Sequence, residues 1–374
     1  MKIAVNTRLL LKNRMDGIAW FTFETMSRMT KNHPEHHFYF IFDRPYDPEF
    51  IFSENITPIV IGPQSRHPLL WYWWFEKSIP SVLKKIKPDV FLSPDGYLSL
   101  KSKAPCLTVI HDINFEHRPQ DLPLSHRKYY QHYFPKFAHH AHRIATVSEF
   151  SKNDISSKYG IDPTNIDVIY NGISDRFRPL SSDEISAFQK KHTQNHPYFL
   201  VLGSLHPRKN IANILSAYDQ FKDSGNYPHK LLFVGRKQWW TSKMQSALDV
   251  MKFKADVIFQ EGLSNEKVAL ALGASTALLY VSLFEGFGIP MTEAMKAGVP
   301  VITSNVSSMP EIASDAALFC DPYSTVSIAE QMKKLIHEPG LSESLIQKGF
   351  TRATDFSWDK TAGLLWKSVE RMLR

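Results

Sequence analysis

Short apolar runs alternate with amphipathic helical stretches along this chain, and the alternation occurs twice. The predicted strands of the first half are Lys2–Asn6, Phe38–Phe42, Pro58–Ile61, Asp89–Leu92, Leu107–Ile110, Ile144–Val147 and Asp167–Ile169. The helical patterns between them are Ile18–Lys31, Leu70–Ile86, Ser125–Ala141 and Glu149–Tyr159. Strand–helix alternation of this kind is typical of a mostly parallel sheet with helices on both faces.

A polar stretch, Asn171–Pro197, interrupts the pattern and is predicted to be a linker with one short helix. The alternation then restarts, with predicted strands at Tyr198–Gly203, Leu231–Gly235, Val257–Gln260, Ala277–Val281 and Val299–Thr303, and helices such as Ile211–Phe221 and Asn265–Ala274. An amphipathic helix, Trp358–Leu373, ends the chain. The sequence thus predicts an α/β protein with two doubly wound domains, 1–175 and 176–357. The helix at about 358–374 is expected to pack back on the first domain.

Composition narrows the class of protein. The chain has 374 residues, 43% of them hydrophobic and 22% charged, which is ordinary for globular domains and too long for a single core. A net charge of +7 suits an anionic substrate or an anionic membrane surface. Nucleic-acid binding is not expected, because no concentrated basic stripe with stacking aromatic residues is found. Cys106 and Cys320 lie in apolar, strand-like runs, so we expect core thiols in a reducing cytoplasm. The sequence contains no run of about 18 apolar residues, so no membrane-spanning helix is predicted.

The segment from Ser282 to Gly298 carries the strongest signal of a binding site. A strand is predicted to end just before it, and Gly286 and Gly288 precede a helix predicted to start at Pro290. Glycines before a helix N-terminus let a diphosphate approach backbone N–H groups, and the helix dipole favours its negative charge. The glycines alone fit a plain strand–loop–helix connection equally well.

Two glutamates flank this loop. Glu285 precedes the helix and Glu293 is placed in its first turn, so that both are expected to face one pocket. Carboxylates accept hydrogen bonds from sugar hydroxyls. Their presence on both sides of a phosphate-binding loop favours a nucleotide-sugar site over an ordinary connection.

A basic pair follows the first strand of the second half. Arg208 and Lys209 are predicted to open a helix after a loop that contains Gly203 and Ser204. Positive side chains at a helix N-terminus oppose the helix dipole, so their position requires a reason. Aimed at a cleft, they would neutralise a pyrophosphate leaving group; otherwise they form a solvated basic pair.

Two features of the first half point to the same edge of its sheet. His111 and Asp112 end an apolar strand, which suggests an acid/base dyad, a nucleophile system or a histidine that Asp112 only orients. The loop after the first strand, Asn6 to Trp20, contains Gly17. Ligands of doubly wound sheets bind at the carboxyl ends of the strands, where both features lie.

The segment with Glu285 and Glu293 resembles the Glu-x7-Glu motif of the retaining GT-B glycosyltransferases, group 1 family. The resemblance extends through nearly all of the second domain and about half of the first. It implies that Glu285 holds the donor sugar and Glu293 the nucleotide ribose. It also implies that Arg208 and Lys209 bind the pyrophosphate.

In the first domain the resemblance places His111 beside the donor sugar near the reaction centre. It places Gly17 at the diphosphate, although Ala19 and Trp20 stand where the family often has Gly and Arg. The residues assigned to catalysis are His111, Glu285, Arg208 and Lys209. The residues assigned to donor binding are Gly17, Gly203, Ser204, Arg208, Lys209, Gly235, Gly286, Phe287, Gly288, Ile289 and Glu293. Gly235 equally fits an ordinary turn after a strand.

The family implies a GT-B fold, in which two Rossmann-like domains face each other across a cleft, the first for the acceptor and the second for the donor. It implies transfer with retention from a nucleoside-diphosphate sugar, without a metal or any other cofactor. Family members with similar His-Asp and Val-Ser-Glu-Phe-Ser-Lys segments often use GDP-mannose, which favours that donor here. The setting that the family implies is bacterial surface polysaccharide synthesis on a saccharide or lipid-linked saccharide acceptor. A cytoplasmic protein, in peripheral contact with the inner membrane, fits this setting.

Alternative functions remain open at this point. A UDP-sugar transferase of the same fold is the first, and a phosphorylase or an epimerase are more distant ones. A silent sugar-nucleotide-binding module would have lost its carboxylates, yet Glu285 and Glu293 are present. The aromatic run Trp71–Phe75 with Lys84, Lys85 and Lys87 fits either a membrane contact or a buried helix with a lysine-rich end.

Overall fold

The computed structural model describes residues 1–12 and 14–373. Asn13, in the loop after the first strand, and Arg374, at the end of the predicted terminal helix, lie outside the described residues. The chain divides into two compact units, Met1–Gly172 with Ser357–Arg374, and Ile173–Phe356. The division falls at Gly172 rather than at residue 175. Gly172 lies against the returning chain so closely that a Cβ atom there would be 2.2 Å from the backbone nitrogen of Trp358.

The first unit is built on a parallel sheet of seven strands. These are β1 (Lys2–Asn6), β2 (His37–Phe42), β3 (Ile56–Val60), β4 (Val90–Ser93), β5 (Cys106–Val109), β6 (Arg143–Thr146) and β7 (Ile166–Val168), in the order β3-β2-β1-β4-β5-β6-β7. Its helices are α1 (Gly17–Asn32), α2 (Pro68–Trp73), α3 (Ile79–Ile86), α4 (Asn114–His117), α5 (Leu124–His140) and α6 (Glu149–Tyr159). The strand order reverses between β1 and β4, so the loops that follow these two strands diverge and open a crevice.

The second unit repeats this plan with six parallel strands. These are β8 (Tyr198–Leu202), β9 (Lys230–Val234), β10 (Val257–Gln260), β11 (Ala277–Tyr280), β12 (Val301–Ser304) and β13 (Ala317–Cys320), in the order β10-β9-β8-β11-β12-β13. Its helices are α7 (Ser182–His192), α8 (Ile211–Asp223), α9 (Ser242–Asp249), α10 (Asn265–Gly273), α11 (Ile289–Lys296), α12 (Met309–Ala313), α13 (Thr325–His337) and α14 (Leu341–Ala353). Here the reversal lies between β8 and β11.

The last helix, α15 (Trp358–Arg371), belongs to the first unit and packs against α1. The Trp358 ring meets Phe21 edge-on, with 6.3 Å between ring centroids. At the other end of the helix, Ser368 and Arg371 donate hydrogen bonds to the Asp167 carboxylate at 2.7 and 2.6 Å. Apolar packing and a partly buried carboxylate together fix the terminal helix on the sheet of the first unit.

Both sheets are covered by buried apolar side chains, as fully parallel sheets require. All four residues of β4, β5, β11 and β12 are buried. This explains why the predicted strands are continuous apolar runs rather than alternating ones. In the described part of the chain, no helix combines the length and apolarity needed to cross a bilayer.

Two regions differ from the sequence prediction, and a third, the linker, contains its predicted helix. The helix predicted at Leu70–Ile86 is α2, a π-helical turn at Trp74–Ser78 and α3. The predicted strands stop at Thr303, whereas the structure adds β13 and the long helices α13 and α14. The short helix of the predicted linker is α7, which begins with a reciprocal Ser181–Glu184 capping box.

Candidate donor site

The loop between β11 and α11 is fixed from both sides by serines of the following strand–helix connection. The Glu285 backbone N–H donates to Ser307 Oγ at 3.1 Å, and Ser308 Oγ donates to the Glu285 carbonyl at 2.9 Å. Glu285 is 6% exposed. The backbone of this buried glutamate, in the loop after β11, is therefore fixed by the protein alone.

Arg208 and Lys209 meet this carboxylate across the point where the strand order reverses. Arg208 Nη1 lies 2.5 Å from Glu285 Oε2, and Lys209 Nζ lies 2.6 Å from Glu285 Oε1. The Leu283 backbone N–H also donates to the Arg208 carbonyl at 2.8 Å. The loops after β8 and β11 are thus joined by two ion pairs and a backbone hydrogen bond. The prediction placed these residues in separate motifs, and the structure brings them together.

The local structure of the basic pair differs from the prediction. Arg208 and Lys209 lie in a 3-10 turn, Pro207–Lys209, and α8 begins only at Ile211. Asn210, with φ of +62°, separates the turn from the helix, and its side chain donates to the Pro322 carbonyl at 2.6 Å. The pair therefore does not open an α-helix, so the cost of opposing a helix dipole is smaller than the sequence suggested.

The charges of this cluster set the ionisation of Glu285. Burial by itself would raise the pKa of the Glu285 carboxyl, but the Arg208 and Lys209 charges outweigh burial and lower the pKa to about 2. The carboxylate is therefore ionised at every physiological pH. Together, two cations and one anion leave this cluster with a net charge of +1, which favours an anionic ligand.

Tyr280, which was not predicted from the sequence, contacts Lys209 of this cluster. It is the last residue of β11, and its hydroxyl accepts a hydrogen bond from Lys209 Nζ at 2.7 Å. Burial, followed by the charge of Glu285, raises the pKa of the phenol, and the Glu293 carboxyl adds to the effect. Glu285 and Glu293 are therefore both within electrostatic reach of one side chain. A tyrosine at a strand end before a glycine-rich loop was the available signal.

Glu293 lies in the second turn of α11, not in the first, because the helix begins at Ile289, one residue before Pro290. Its side chain is half-buried. Burial raises the pKa of the Glu293 carboxyl to about 8, and the charge of Arg176 acts in the opposite direction. Unlike Glu285, this carboxyl carries a proton much of the time at neutral pH.

The glycine before α11 has a clear steric role. Gly288 has φ of +98°, and a Cβ atom there would lie 2.6 Å from Met291 Cε and 3.2 Å from the Tyr280 ring. The neighbouring Phe287 is buried and contacts Phe356 edge-on at 5.5 Å. Gly286 completes this loop, and Ile289 is the first residue of the helix behind it.

Gly203 and Gly235 form a close backbone contact at the ends of β8 and β9. A Cβ atom on Gly235 would lie 1.8 Å from the Gly203 carbonyl oxygen. Ser204 follows this contact and leads into the turn with the basic pair. Gly235 therefore allows the loops after β8 and β9 to approach each other. This steric role fits both predictions for Gly235, a donor-binding residue or an ordinary turn after a strand.

His111 of the first unit is held by the backbone, not by its neighbour Asp112. One ring nitrogen, Nε2, lies 2.9 Å from the Pro94 carbonyl, and the ring meets Phe21 edge-on at 4.9 Å. Asp112 Oδ1 instead accepts hydrogen bonds from the Asn114 backbone and side-chain amides at 2.9 and 2.6 Å. The suggestion of a His–Asp dyad is therefore wrong. Burial lowers the pKa of His111, although Pro94 and nearby carboxylates oppose this.

Gly17 is the first residue of α1, and Asp16 caps this helix by accepting the Ala19 N–H at 3.0 Å. A buried network that was not predicted from the sequence lies where the strand order of the first unit reverses. Arg8 Nε donates to Asp95 Oδ2 at 2.6 Å, and both side chains are buried. Isolated charges after strands were the only signal of this network. In residues 1–12 and 14–373, no group of three His, Cys, Asp or Glu side chains has the arrangement of a metal site.

Comparison with known families gives matches in both units. Residues 182–352 match the family Glycosyl transferases group 1, and residues 15–177 match Glycosyltransferase Family 4. The first match contains Arg208, Lys209, Glu285 and Glu293, and the second contains Gly17 and His111.

Two relatives match along most of their length. The O-antigen chain mannosyltransferase B of Escherichia coli is 27% identical, over 74% of this chain and 73% of its own. The O-antigen chain mannosyltransferase RfbU of Salmonella typhimurium is 29% identical, over 76% of each chain.

Solved structures show the same fold over the whole chain. A glycosyltransferase from Rickettsia africae superposes with a TM-score of 0.74 at 18% identity, covering 100% of this chain and 98% of its own. Anabaena HepE, in complex with UDP and glucose, gives 0.77 at 14% identity, covering 99% of each chain. The chain therefore belongs to the group 1 glycosyltransferases and has the GT-B fold.

Proposed function

We propose that this enzyme transfers mannose from GDP-mannose to a saccharide or lipid-linked saccharide acceptor in the synthesis of a surface polysaccharide. The two O-antigen mannosyltransferases that match over about three quarters of their length support the sugar and the setting. The proposal includes a cytoplasmic location at the membrane face.

The cluster of Arg208, Lys209 and Glu285 is the observation that carries the donor site. It lies where the strand order of the second unit reverses, which is where open α/β sheets bind ligands. In the proposal, the two cations bind the diphosphate of the donor, and the backbone N–H groups at the start of α11 bind the same phosphates.

The carboxylates have separate tasks in this proposal. Glu285 accepts hydrogen bonds from the hydroxyls of the donor sugar, since it lies beside the diphosphate-binding cations. Glu293, farther along α11, accepts hydrogen bonds from the ribose hydroxyls. Its high pKa makes donor binding dependent on pH, because hydroxyl donors favour the charged carboxylate.

We propose that transfer retains the anomeric configuration by attack on the front face of the sugar. The acceptor oxygen forms a bond to the anomeric carbon while the bond from that carbon to the diphosphate breaks. The acceptor proton passes to the departing phosphate oxygen. Glu285 is a poor candidate for a covalent nucleophile, because two cations hold its charge and its pKa is about 2.

Metal independence is part of the proposal. The leaving diphosphate develops negative charge as the bond breaks, and Arg208 and Lys209 supply two positive charges at that position. The helix dipole of α11 adds a further partial charge. The predicted contacts of His111 and Gly17 with donor and acceptor stay predictions.

The first experiment is calorimetric titration of GDP, UDP and ADP in EDTA, with Glu293→Ala and, as a matched control, Glu343→Ala on an exposed face of α14. We expect GDP to bind most tightly, Glu293→Ala to weaken binding at least about tenfold, and Glu343→Ala to bind normally. Preference for UDP would overturn the choice of donor. Loss of binding in EDTA that Mg²⁺ or Mn²⁺ restores would overturn metal independence.

Turnover separates the enzyme from a silent binding module. Incubation with GDP-mannose and a mannose-containing oligosaccharide acceptor, followed by NMR of the product, reports both transfer and the anomeric configuration of the new bond. An α-linked product from the α-configured donor supports retention. Binding of GDP-mannose without transfer to any member of an acceptor series would favour the silent module.

A further inference from the structure

A short helix of the first unit exposes an unusual number of large apolar side chains. Of the six residues of α2, only Pro68 and Trp71 are buried. The exposed side chains are Leu69 at 73%, Trp73 at 56%, Tyr72 at 39% and Leu70 at 38%. Scattered exposed apolar residues are normal, but four on one helix of six residues form a patch that marks an interaction site.

The neighbouring helix α5 extends this patch. Trp71, which anchors α2, lies against His126 and Tyr130 of α5, with 5.1 and 5.6 Å between ring centroids. The ring centroid of the exposed Tyr72 lies 6.2 Å from that of Tyr133 of α5. Leu124, the first residue of α5, is 62% exposed. The apolar surface thus continues from one helix to the other.

Exposed lysines accompany these side chains in both segments. Lys136 Nζ lies 5.7 Å from the centroid of the Tyr133 ring and 2.7 Å from His132 Nε2. Lys128 is also exposed on α5, and Lys77 follows Trp73 one turn later. The surface therefore combines aromatic and aliphatic side chains with lysines at their border.

Acidic side chains are almost absent from these segments. Residues 122–142 contain no Asp or Glu, and residues 63–88 contain only Glu76. Glu76 is buried, and its carboxylate accepts the Leu100 backbone N–H at 2.8 Å, so it does not oppose the surface charge. A surface of this charge is complementary to an anionic one.

The backbone under the patch is firmly supported. Trp71 Nε1 donates to the Ser65 carbonyl at 2.9 Å, and Trp74 Nε1 donates to the Ile61 carbonyl at 2.8 Å. Two buried indoles therefore fix α2 and the π-helical turn after it to the backbone at Ile61 and Ser65. The sequence left open whether this run is a buried helix or a membrane contact, and the structure divides it: Trp71, Trp74 and Phe75 are buried, whereas Tyr72 and Trp73 are exposed.

We propose that this surface, formed by Leu69, Leu70, Tyr72, Trp73 and Leu124 with Lys77, Lys128 and Lys136, docks on an anionic lipid bilayer. The apolar side chains enter the interface between head groups and acyl chains, and the lysines contact anionic head groups. This inference rests on the membrane location in the proposed function and assigns the surface that makes the contact, but it is independent of which nucleotide sugar the enzyme uses.

The test is flotation of the full-length protein with vesicles of phosphatidylcholine alone or of phosphatidylcholine and phosphatidylglycerol in equal amounts. We expect binding to the anionic vesicles and little binding to the neutral ones. The double variant Leu69→Ser/Trp73→Ser removes the apolar contact, and Lys128→Glu/Lys136→Glu reverses the charge. Each is expected to lower the partition coefficient on anionic vesicles by about tenfold or more.

A matched control places similar changes in the second unit. Val250→Ser/Lys243→Glu alters an exposed apolar residue and an exposed lysine there, and it should bind vesicles like the wild type. GDP titration of all variants checks that they are folded, because their GDP affinity should equal that of the wild type. An unchanged GDP affinity also separates the test of lipid binding from the test of donor binding.

Three outcomes would overturn the proposal. The wild type could fail to bind anionic vesicles, or the surface variants could bind as well as the control. In the third, size-exclusion chromatography would show that the wild type is an oligomer and that the apolar variant is a monomer. That result would assign the surface to a second copy of the chain instead of a lipid bilayer.

Discussion

Lys209 Nζ lies 2.6 Å from Glu285 Oε1, although the two residues belong to loops after different strands. Arg208 completes the cluster at the second carboxylate oxygen. The carboxylate therefore has two effects. It holds the two cations in position, and it cancels half of their charge, which in the proposed function attracts the diphosphate of the donor.

Glu285→Gln is accordingly expected to separate binding from catalysis. The variant raises the charge of the cluster from +1 to +2, so GDP should bind up to about tenfold more tightly. Transfer should fall by about a hundredfold or more, because the sugar loses its carboxylate partner. Calorimetry and initial rates measure the two effects, with Glu343→Gln as the control. Weaker GDP binding in a folded Glu285→Gln protein would show that holding the cations in place matters more than cancelling their charge.

Donor binding is expected to release a proton at neutral pH. Glu293 has a pKa of about 8 without ligand, and hydrogen bonds from ribose hydroxyls favour its ionised form. Affinity should therefore rise with pH up to about 8 and then level off, by at most about tenfold per pH unit. GDP-mannose is the suitable ligand, because both phosphates are esterified and neither titrates in this range.

Calorimetry in phosphate and in Tris, which differ in ionisation enthalpy, counts the released proton directly. Glu293→Gln should bind with the same observed enthalpy in both buffers and without the pH dependence. Equal enthalpies for the wild type would contradict the proposed ribose contact.

The same carboxyl should lower stability as pH rises. Its folded pKa of about 8 exceeds the ordinary value of 4.5, so the folded state binds more protons than the unfolded state between these two values. The destabilisation is absent below about pH 4.5, grows through the interval and is complete above about pH 8. Between about pH 4.5 and about pH 8, the free energy of unfolding of Glu293→Gln relative to the wild type should therefore rise by at most about 1.4 kcal/mol per pH unit. Thermal unfolding at several pH values tests this, and a parallel pH profile for both proteins would refute it.

Much of the fold was predictable because both sheets are parallel and buried. Strands buried on both faces are continuous apolar runs, and these are easily recognised, as at Leu231–Val234 and Ala277–Tyr280. The π-helical turn within Leu70–Ile86 was not predictable, because Trp74 and Ser78 are held by carbonyls of Ile61 and Gly62, which are distant in sequence.

The site was predictable in its parts but not in its connections. Glu285, Arg208 and Lys209 carry local signals, a glycine loop and a basic pair, whereas their ion pairs depend on β8 and β11 being neighbours in the sheet. The His111–Asp112 pairing failed for the opposite reason. Adjacent residues on a strand end point in different directions, and the Asp112 carboxylate turns to the nearest backbone N–H, that of Asn114.

Gly235→Ala is expected to damage the site through the backbone. The new Cβ atom would lie 1.8 Å from the Gly203 carbonyl oxygen, and no flexible side chain can move aside to relieve this contact. We expect a loss of more than about 3 kcal/mol of stability and weaker GDP binding. Gly262→Ala is the matched control, since its φ of +71° is also positive but no atom lies within 4 Å. It should cost only about 1–2 kcal/mol. Equal melting temperatures for the two variants would show that the loops adjust without loss.

Arg8→Leu should be the most destabilising single change in the crevice of the first unit. Arg8 and Asp95 are buried together, and Asn6 Nδ2 donates to the same carboxylate at 2.8 Å. Removing the guanidinium leaves a buried carboxylate without its cation, which costs about 3–5 kcal/mol. The exposed pair Lys252–Asp223 provides the control, because Lys252→Leu should cost at most about 1 kcal/mol. Urea unfolding followed by tryptophan fluorescence measures both. If Arg8→Leu unfolds like the control, water reaches Asp95 in the variant, and the pair does not hold the loops after β1 and β4 together.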